Sequence, residues 1–149
     1  MLLINCDMGE GLDNDESIMP YIDAANIACG YHAGDTDTIK KTIALAQKNK
    51  LQIGAHFSYA DKENFGRKEM FLSNELVYDM VSEQLLQFSS IAKEMGEDVT
   101  HVKPHGALYN QAAKNMELAT TIATAVFDQL PGAVYFGLSG SMMLEAASN

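Results

Sequence analysis

The sequence is short of basic residues and of long apolar runs. Among its 149 residues, 20 are Asp or Glu and only 10 are Lys or Arg, so the formal net charge is -10. A surface of this sign repels phosphate backbones and anionic lipids, which makes nucleic acid and membrane surfaces poor partners. No apolar run approaches about 18 residues, which argues against a membrane span. The N-terminus lacks a basic segment followed by a long apolar stretch, so we expect a cytoplasmic protein without a signal peptide.

Cysteines are also scarce, since the chain has only Cys6 and Cys29, each inside an apolar run. Two cysteines do not make a disulfide framework, and neither has a CxxC neighbour that would indicate a thiolate metal site. We therefore expect two reduced, buried thiols on strands. The GxxxxGK[ST] phosphate loop, the GxGxxG fingerprint and the GxSxG elbow are all missing. If ATP is used, this chain does not bind the nucleotide through a Walker motif.

Short apolar runs alternate with amphipathic segments along the chain. The apolar runs predict five strands, at 2–6, 24–29, 51–55, 100–103 and 133–136. The amphipathic segments predict helices at about 35–49, 73–95, 111–129 and 141–147. Such alternation is typical of an α/β protein with a parallel sheet and helical crossovers, in an open sheet or a barrel. The length fits a single domain over residues 1–149.

Each of the first four predicted strands has one apolar and one polar face, because side chains alternate across a strand. If the polar faces point the same way, they line a common interior. The strand ends of that interior carry Asp7, His32, His56, Lys103 and His105. Ligands bind at the carboxyl ends of strands in barrels and in open α/β sheets. Unpaired buried polar groups are costly, so a core built only for stability would use Val, Ile and Leu instead.

Several polar residues also have an ordinary structural interpretation. His101 lies early in its strand, and we interpret it as a hydrogen-bonded structural residue. Glu10 fits a site residue or a solvated loop acid equally well. Lys103 fits an oxyanion-stabilising group or an interior lysine paired with Asp7. Arg67, in the polar loop 57–71, fits a clamp for a carboxylate or an ordinary surface residue.

Two chemistries suit a cluster of carboxylates and imidazoles. The groups could bind a divalent metal that activates water, with Asp7, His32 and His56 as candidate ligands. They could instead perform general acid–base catalysis without a metal. The spacings are long-range and contain no HExxH or HxH pattern, so the sequence leaves both chemistries open.

Five segments together resemble the signature blocks of one family. They are NCDMGEG at 5–11, ANIACGYHAGD at 25–35, IGAH at 53–56, FGR at 65–67 and HVKPHGALYN at 101–110. In order and in register, they are similar to those of the lactam-utilisation (LamB/YcsF) family, the A components of 5-oxoprolinase. The match spans essentially the whole chain, and the ten-residue last block is highly specific.

The resemblance implies a (β/α) barrel-like fold of the glycoside hydrolase/deacetylase type. It also implies a hydrolase component that takes part in ATP-dependent cleavage of 5-oxoproline to glutamate, with separate subunits B and C. Carried onto this sequence, it implies a catalytic set and two substrate-binding residues. The catalytic set is Asp7, His32, His56, Lys103 and His105, and the substrate-binding residues are Glu10 and Arg67.

Family members are longer, by roughly a hundred residues on the scale of domain sizes. We therefore expect this chain to be the N-terminal part of a barrel, with about five strands and without the closing ones. Two other functions stay open: a stand-alone metal-dependent amide hydrolase or deacetylase, and a non-catalytic component that binds lactam or organises its partners. The role of each site residue, the binding of a divalent metal and any homo-oligomer also stay open.

Overall fold

The computed structural model describes residues 3–148, and its strands form one parallel sheet. The strands are β1 (Asn5–Met8), β2 (Ala24–Ala28), β3 (Gln52–Phe57), β4 (His101–Pro104) and β5 (Val134–Tyr135). Each strand pairs in parallel with the next one in the chain. Strand order equal to chain order is the arrangement of (β/α) barrels, whereas a doubly wound sheet reverses its order at a switch point. Over the described residues the sheet is open, with β1 and β5 at its edges.

The predicted parallel sheet is confirmed, although the strand ends are shifted. The predicted strand 2–6 begins outside the described residues, and the strand found there is Asn5–Met8. It extends further into the polar loop because its pairing with β2 continues as far as Met8 opposite Ile27. Both cysteines are free thiols, with Cys6 half-buried in β1 and Cys29 buried directly after β2.

Within residues 3–148, six α-helices connect or follow the strands. They are α1 (Asp15–Ile18), α2 (Thr36–Lys48), α3 (Asn74–Glu94), α4 (Gly106–Ala112), α5 (Met116–Gln129) and α6 (Met142–Ser148). A single 3-10 turn at Met19–Tyr21 follows α1. None of the described helices is both long enough and apolar enough to cross a membrane.

The prediction of one helix over 111–129 was wrong, because the structure has two helices there. α4 starts directly after His105 and ends at Ala112, and α5 starts only at Met116. The break occurs because the Asn115 side chain accepts a hydrogen bond from the Leu118 backbone N–H and so caps a new helix. The short α1 was also missed, and it buries none of its residues, so it has no apolar periodicity to detect.

Helices cover the apolar face of the sheet. α2 contacts β2 and β3, α3 contacts β3, and α5 packs along α3. Ile27, Ile53 and Val102 come from three neighbouring strands and are completely or almost completely buried. They belong to the same apolar cluster as Ile39 and Ile43 of α2. Burial of this face leaves the other face of the same strands to carry the polar residues.

A row of residues on that other face crosses four strands in register. Asp7 lies opposite Asn26, Asn26 opposite Gly54, and Gly54 opposite His101. The His101 imidazole lies over Gly54 and its Nε2 hydrogen-bonds the Asn26 Oδ1 at 2.9 Å, two strands away. A Cβ atom on Gly54 would overlap that ring. Glycine is therefore required at this position so that the imidazole can cross β3.

We predict that Gly54→Ala destabilises the fold by about 1–3 kcal/mol, the range observed for overpacked interiors. The clash is with the His101 ring, so the same substitution made in a His101→Ala background should cost less than about 0.5 kcal/mol. Urea unfolding of the four proteins of this double-mutant cycle measures both costs. An equal cost in the two backgrounds would show that the His101 ring is not what excludes a side chain at Gly54.

Candidate active site

The candidate site lies at the carboxyl ends of β1 to β4. Asp7 is in β1 and His56 in β3, while Lys103 is in β4 and His105 directly follows it. Glu10 comes from the loop after β1, and His32 from the loop after β2. A cleft of about 510 Å³ opens above them and is lined by Asp7, His56, Arg67, Lys103 and His105 among others. The structure thus brings together every residue that the sequence predicts for the site, and their roles remain predictions.

Asp7 and Lys103 form an ion pair at the wall of this cleft. Lys103 Nζ donates to Asp7 Oδ1 at 2.7 Å, and Asn26 Nδ2 donates to the same oxygen at 2.7 Å. Burial alone would raise the pKa of Asp7. The hydrogen bond and positive charge of His56, with the hydrogen bonds from Lys103 and Asn26, instead hold that pKa well below its usual range. Asp7 is therefore a carboxylate whose Oδ1 is already occupied.

His56 and His105 face each other at the floor of the cleft. His56 Nδ1 lies 2.9 Å from the Lys103 carbonyl oxygen, and His105 Nε2 lies 2.9 Å from the Phe65 carbonyl oxygen. The two remaining ring nitrogens, His56 Nε2 and His105 Nδ1, are 3.0 Å apart. Burial, followed by the positive charges of His32 and His56, lowers the pKa of His105 to about 4. His105 is consequently a neutral imidazole at physiological pH.

Glu10 is part of the buried cluster rather than a solvated loop acid. Its Oε1 lies 3.0 Å from His32 Nε2, 3.4 Å from His105 Nδ1 and 3.7 Å from His56 Nε2. Burial would raise the pKa of Glu10, but the hydrogen bond from His32 and the charges of His56, His105 and His32 lower it. Glu10 therefore supplies a carboxylate to the three imidazoles.

His32 lies behind this group, away from the cleft. Its ring stacks on His105 with the centroids 3.8 Å apart and the planes 7° apart. Burial is the main cause that lowers the pKa of His32. Its Nδ1 is 2.9 Å from the Ser58 hydroxyl oxygen, which also lies 2.9 Å from the Tyr59 carbonyl oxygen. His32 is thereby fixed between Ser58 and Glu10.

Four of these side chains form a group that can hold a metal ion. Glu10, His32, His56 and His105 each offer one ligand atom, and these atoms all lie within 4.8 Å of one another. The sequence predicts Asp7, His32 and His56 as candidate metal ligands. The group contains His32 and His56, but its other two members are Glu10 and His105, and Asp7 is not one of them. Asp7 Oδ2 lies 3.3 Å from His56 Nε2, at the margin of the group.

Arg67 and His101 occupy quite different places. Arg67 is exposed and lines the cleft, with its guanidinium carbon 5.3 Å from the centroid of the Phe65 ring. His101 is buried below the site, and its Nδ1 is 2.9 Å from the Thr100 hydroxyl oxygen. The position of His101 agrees with the structural interpretation, since Asn26 links it only indirectly to Asp7.

Sequence reasoning missed three residues that position the imidazoles. Ser58 contacts His32. The Gln84 side chain of α3 accepts a hydrogen bond from the Ser58 backbone N–H at 3.0 Å and donates one to the Ser58 carbonyl oxygen at 2.9 Å. Phe65 has a positive φ of 55°, which is uncommon for a residue that is not glycine. A signal existed for Gln84, because it is a polar residue on the buried stripe of α3 that includes Val81 and Phe88.

Comparison with known proteins shows the family and the fold of this chain. The sequence model of the LamB/YcsF family matches residues 2–149. The chain is 45% identical over 148 residues to the 5-oxoprolinase A component of Shouchella clausii (strain KSM-K16), covering 96% of this chain and 58% of that protein. The crystal structure of the lactam utilization protein from Thermus thermophilus matches with a TM-score of 0.96 and 38% identity, covering 99% of this chain and 62% of that one. This chain therefore spans about three fifths of each relative, and it belongs to the LamB/YcsF family.

Proposed function

We propose that this chain is part of the A component of an ATP-dependent 5-oxoprolinase, in which it helps to open the lactam ring of 5-oxoproline to give glutamate. The family membership and the name of the relative from Shouchella clausii support this reaction class. The observation that carries the proposal is the buried cluster of Glu10, His56 and His105 at the floor of a cleft. A cleft of about 510 Å³ has the size of a small-molecule site.

The substrate offers two groups for recognition, a carboxylate and a lactam amide. Lys103 and Arg67 are the two cationic side chains that line the cleft. Lys103 Nζ is held by Asp7 at 2.7 Å, so its charge is largely balanced. Arg67 is exposed at the cleft, and a guanidinium binds a carboxylate through two parallel hydrogen bonds. We therefore assign the substrate carboxylate to Arg67 and the negative charge that develops at the activated lactam during ring opening to Lys103.

The lactam resists water because amide resonance must be broken. In our proposal ATP serves as co-substrate, and subunits B and C phosphorylate the amide oxygen, which makes the ring carbon electrophilic. The cluster in this chain then directs water to that carbon, the ring C–N bond breaks, and hydrolysis of the resulting acyl phosphate gives glutamate and inorganic phosphate. His105 is better placed than His32 to meet the water, because His105 lines the cleft whereas only 1% of His32 is exposed. Asp7 orients His56 from the side, with its Oδ2 3.3 Å from His56 Nε2.

We also propose that residues 1–149 form the N-terminal part of a (β/α) barrel. The strand order supports this, since it follows the chain order over five strands. The greater length of both relatives supports it as well, because the chain covers only 58% and 62% of them.

A second candidate function is a stand-alone metal-dependent amide hydrolase. The observation that favours it is the group of one carboxylate and three imidazoles that can hold a metal ion. Such an enzyme would cleave its amide without ATP and would lose activity with a chelator. Dependence of glutamate formation on ATP and on the partner subunits separates the two functions. A third outcome is that the protein binds the lactam saturably while substitution of the site residues leaves turnover unchanged. That outcome would indicate a non-catalytic component.

We predict that His105→Ala lowers the rate of glutamate formation at least about 100-fold in the assembled enzyme, the lower end of what a positioned proton-transfer group contributes. The assay supplies 5-oxoproline, ATP and subunits B and C, and its blank contains the partner subunits alone. Circular dichroism melting verifies that the variant is folded. An unchanged rate from a folded His105→Ala variant would remove the cluster from the reaction.

Arg67→Ala should raise the KM for 5-oxoproline at least about tenfold with a smaller change in kcat, because a charged hydrogen bond to the substrate carboxylate contributes about 1.5–3 kcal/mol. Lys68→Ala is the matched control, since Lys68 is an exposed cation in the same loop but does not line the cleft. The assignment of Arg67 fails if both variants shift KM equally, because that result reports only the general loss of positive charge.

A further inference from the structure

When both rings are neutral, the contact between His56 and His105 has no hydrogen between its two nitrogens. Backbone carbonyl oxygens only accept hydrogen bonds, so His56 Nδ1 must donate to Lys103 and His105 Nε2 must donate to Phe65. A neutral imidazole carries one N–H, and each ring has used it. The facing atoms, His56 Nε2 and His105 Nδ1, are then two lone pairs 3.0 Å apart. Two facing lone pairs repel each other, and either a metal ion bound by both nitrogens or a proton on one ring removes the repulsion.

Glu10 supplies a third lone pair at a matching distance. Its Oε1 is 3.4 Å from His105 Nδ1 and 3.7 Å from His56 Nε2, and the two nitrogens are 3.0 Å apart. A tetrahedral ion with bonds of about 2.0–2.1 Å has its ligand atoms about 3.3 Å from one another. The three atoms therefore form a triangle of the size of one face of such a tetrahedron.

His32 is excluded from this triangle by the orientation of its ring. An imidazole nitrogen directs its lone pair within the plane of its own ring, so two ligands of one ion need planes that intersect at the ion. The rings of His32 and His105 are parallel within 7°, whereas those of His56 and His105 are at 90°. His32 instead lies 3.0 Å from Glu10 Oε1 and is held by Ser58, the position of a group that orients a ligand from outside.

Asp7 also stays outside the triangle. Its Oδ1 accepts hydrogen bonds from Lys103 and Asn26, and the Lys103 charge balances the carboxylate at 2.7 Å. Its Oδ2 lies 3.3 Å from His56 Nε2, but Asp7 does not belong to the group whose ligand atoms all lie within 4.8 Å of one another. The side of the triangle that faces the cleft is open, because His56 and His105 both line that cleft. Three protein ligands with one open position characterise catalytic metal sites, whereas structural sites are closed by four.

We propose that Glu10, His56 and His105 bind one divalent transition-metal ion, with the fourth position open to the cleft. Two imidazoles and one carboxylate suit Zn²⁺, Co²⁺, Ni²⁺ or Fe²⁺, whereas Mg²⁺ and Ca²⁺ prefer sites made only of oxygen ligands. When bound, such an ion supplies Lewis-acid activation of water or of a carbonyl oxygen. The proposal concerns the same cleft as the proposed function but does not require that function to be correct. When the ion is bound, His105 is a ligand of the ion and no longer the proton acceptor.

The outer hydrogen bonds hold the two imidazole ligands in position. Metal-bound histidines usually donate their second N–H to a carbonyl or carboxylate, which fixes the ring and its tautomer. His56 and His105 do so through backbone carbonyls, and the Phe65 carbonyl is presented from a residue with a positive φ. The protein thus maintains the loop geometry that these two rings require.

The test is the binding of Zn²⁺ and Co²⁺ to the untagged protein, measured by calorimetry and, for Co²⁺, by visible absorption. The buffer contains millimolar Mg²⁺, which occupies the acidic surface and so prevents nonspecific binding of Zn²⁺ and Co²⁺ there. We expect one ion per chain. Glu10→Gln, His56→Ala and His105→Ala should each lower the affinity at least about 100-fold, more than the loss of an outer-shell partner. His32→Ala and Ser58→Ala should each lower it about 10–100-fold.

The fourth histidine of the chain is the matched control. His101→Gln should keep the one-to-one stoichiometry and the Co²⁺ spectrum, because His101 is buried below the site and hydrogen-bonds Asn26. Asp7→Asn should keep them too. Thermal melting of each variant, with and without Zn²⁺, separates loss of the site from loss of the fold.

The proposal is overturned if the folded protein binds no transition metal, since a shared proton then joins His56 to His105. It is also overturned if His101→Gln weakens binding as much as His105→Ala, or if Asp7→Asn abolishes binding and Glu10→Gln does not. Metal binding without any glutamate formation would contradict the proposed function alone. Glutamate formation by an enzyme that binds no transition metal would contradict the metal site alone.

Discussion

The imidazoles of His56 and His105 each donate their outer N–H to a backbone carbonyl, and the organisation of the site depends on these two hydrogen bonds. The Lys103 carbonyl belongs to β4, so parallel pairing of β3 with β4 delivers it to His56. The Phe65 carbonyl belongs to the loop after β3, and it reaches His105 because Phe65 takes a positive φ. With both outer protons fixed, the inner nitrogens must point at each other and at Glu10.

The sheet beneath the site is built to carry polar groups where most parallel sheets carry aliphatic ones. The row from Asp7 to His101 replaces an apolar layer, and each buried polar group in it has a partner. Asn26 is central, because its amide donates to Asn5 and Asp7 while its oxygen accepts from His101. Gly54 makes the row possible by leaving space for an imidazole. A buried polar network is stabilising only when all its members are satisfied, and this one supports the ion pair of Asp7 with Lys103.

Much of the architecture followed from local sequence patterns. Alternation of apolar runs with amphipathic segments predicts the parallel sheet, and the period of two along each strand predicts that Asp7, His56 and Lys103 share a face. Parallel pairing of neighbouring strands then brings these residues close together in space. The helix break at Asn115 was missed because a cap depends on one side-chain hydrogen bond, which apolar periodicity does not report.

The detailed chemistry of the site was less predictable, because it depends on loops rather than on periodic elements. Glu10 had two equally good interpretations in the sequence, and only the path of the loop after β1 places it against three imidazoles. Ser58 and Gln84 act through single hydrogen bonds across long sequence separations, which no local pattern reveals. Asp7 is a candidate ligand by residue type, and its ion pair with Lys103, which the sequence left open, is set by the register of two distant strands.

The most direct test of this account is the tautomer of each imidazole, read from ¹⁵N chemical shifts and ring couplings by NMR at neutral pH in the presence of Zn²⁺. The account predicts that His56 is protonated at Nδ1 and His105 at Nε2, with both inner nitrogens unprotonated and shifted by the metal. The opposite tautomer at either ring, or an inner nitrogen that keeps its proton when Zn²⁺ is present, would contradict it.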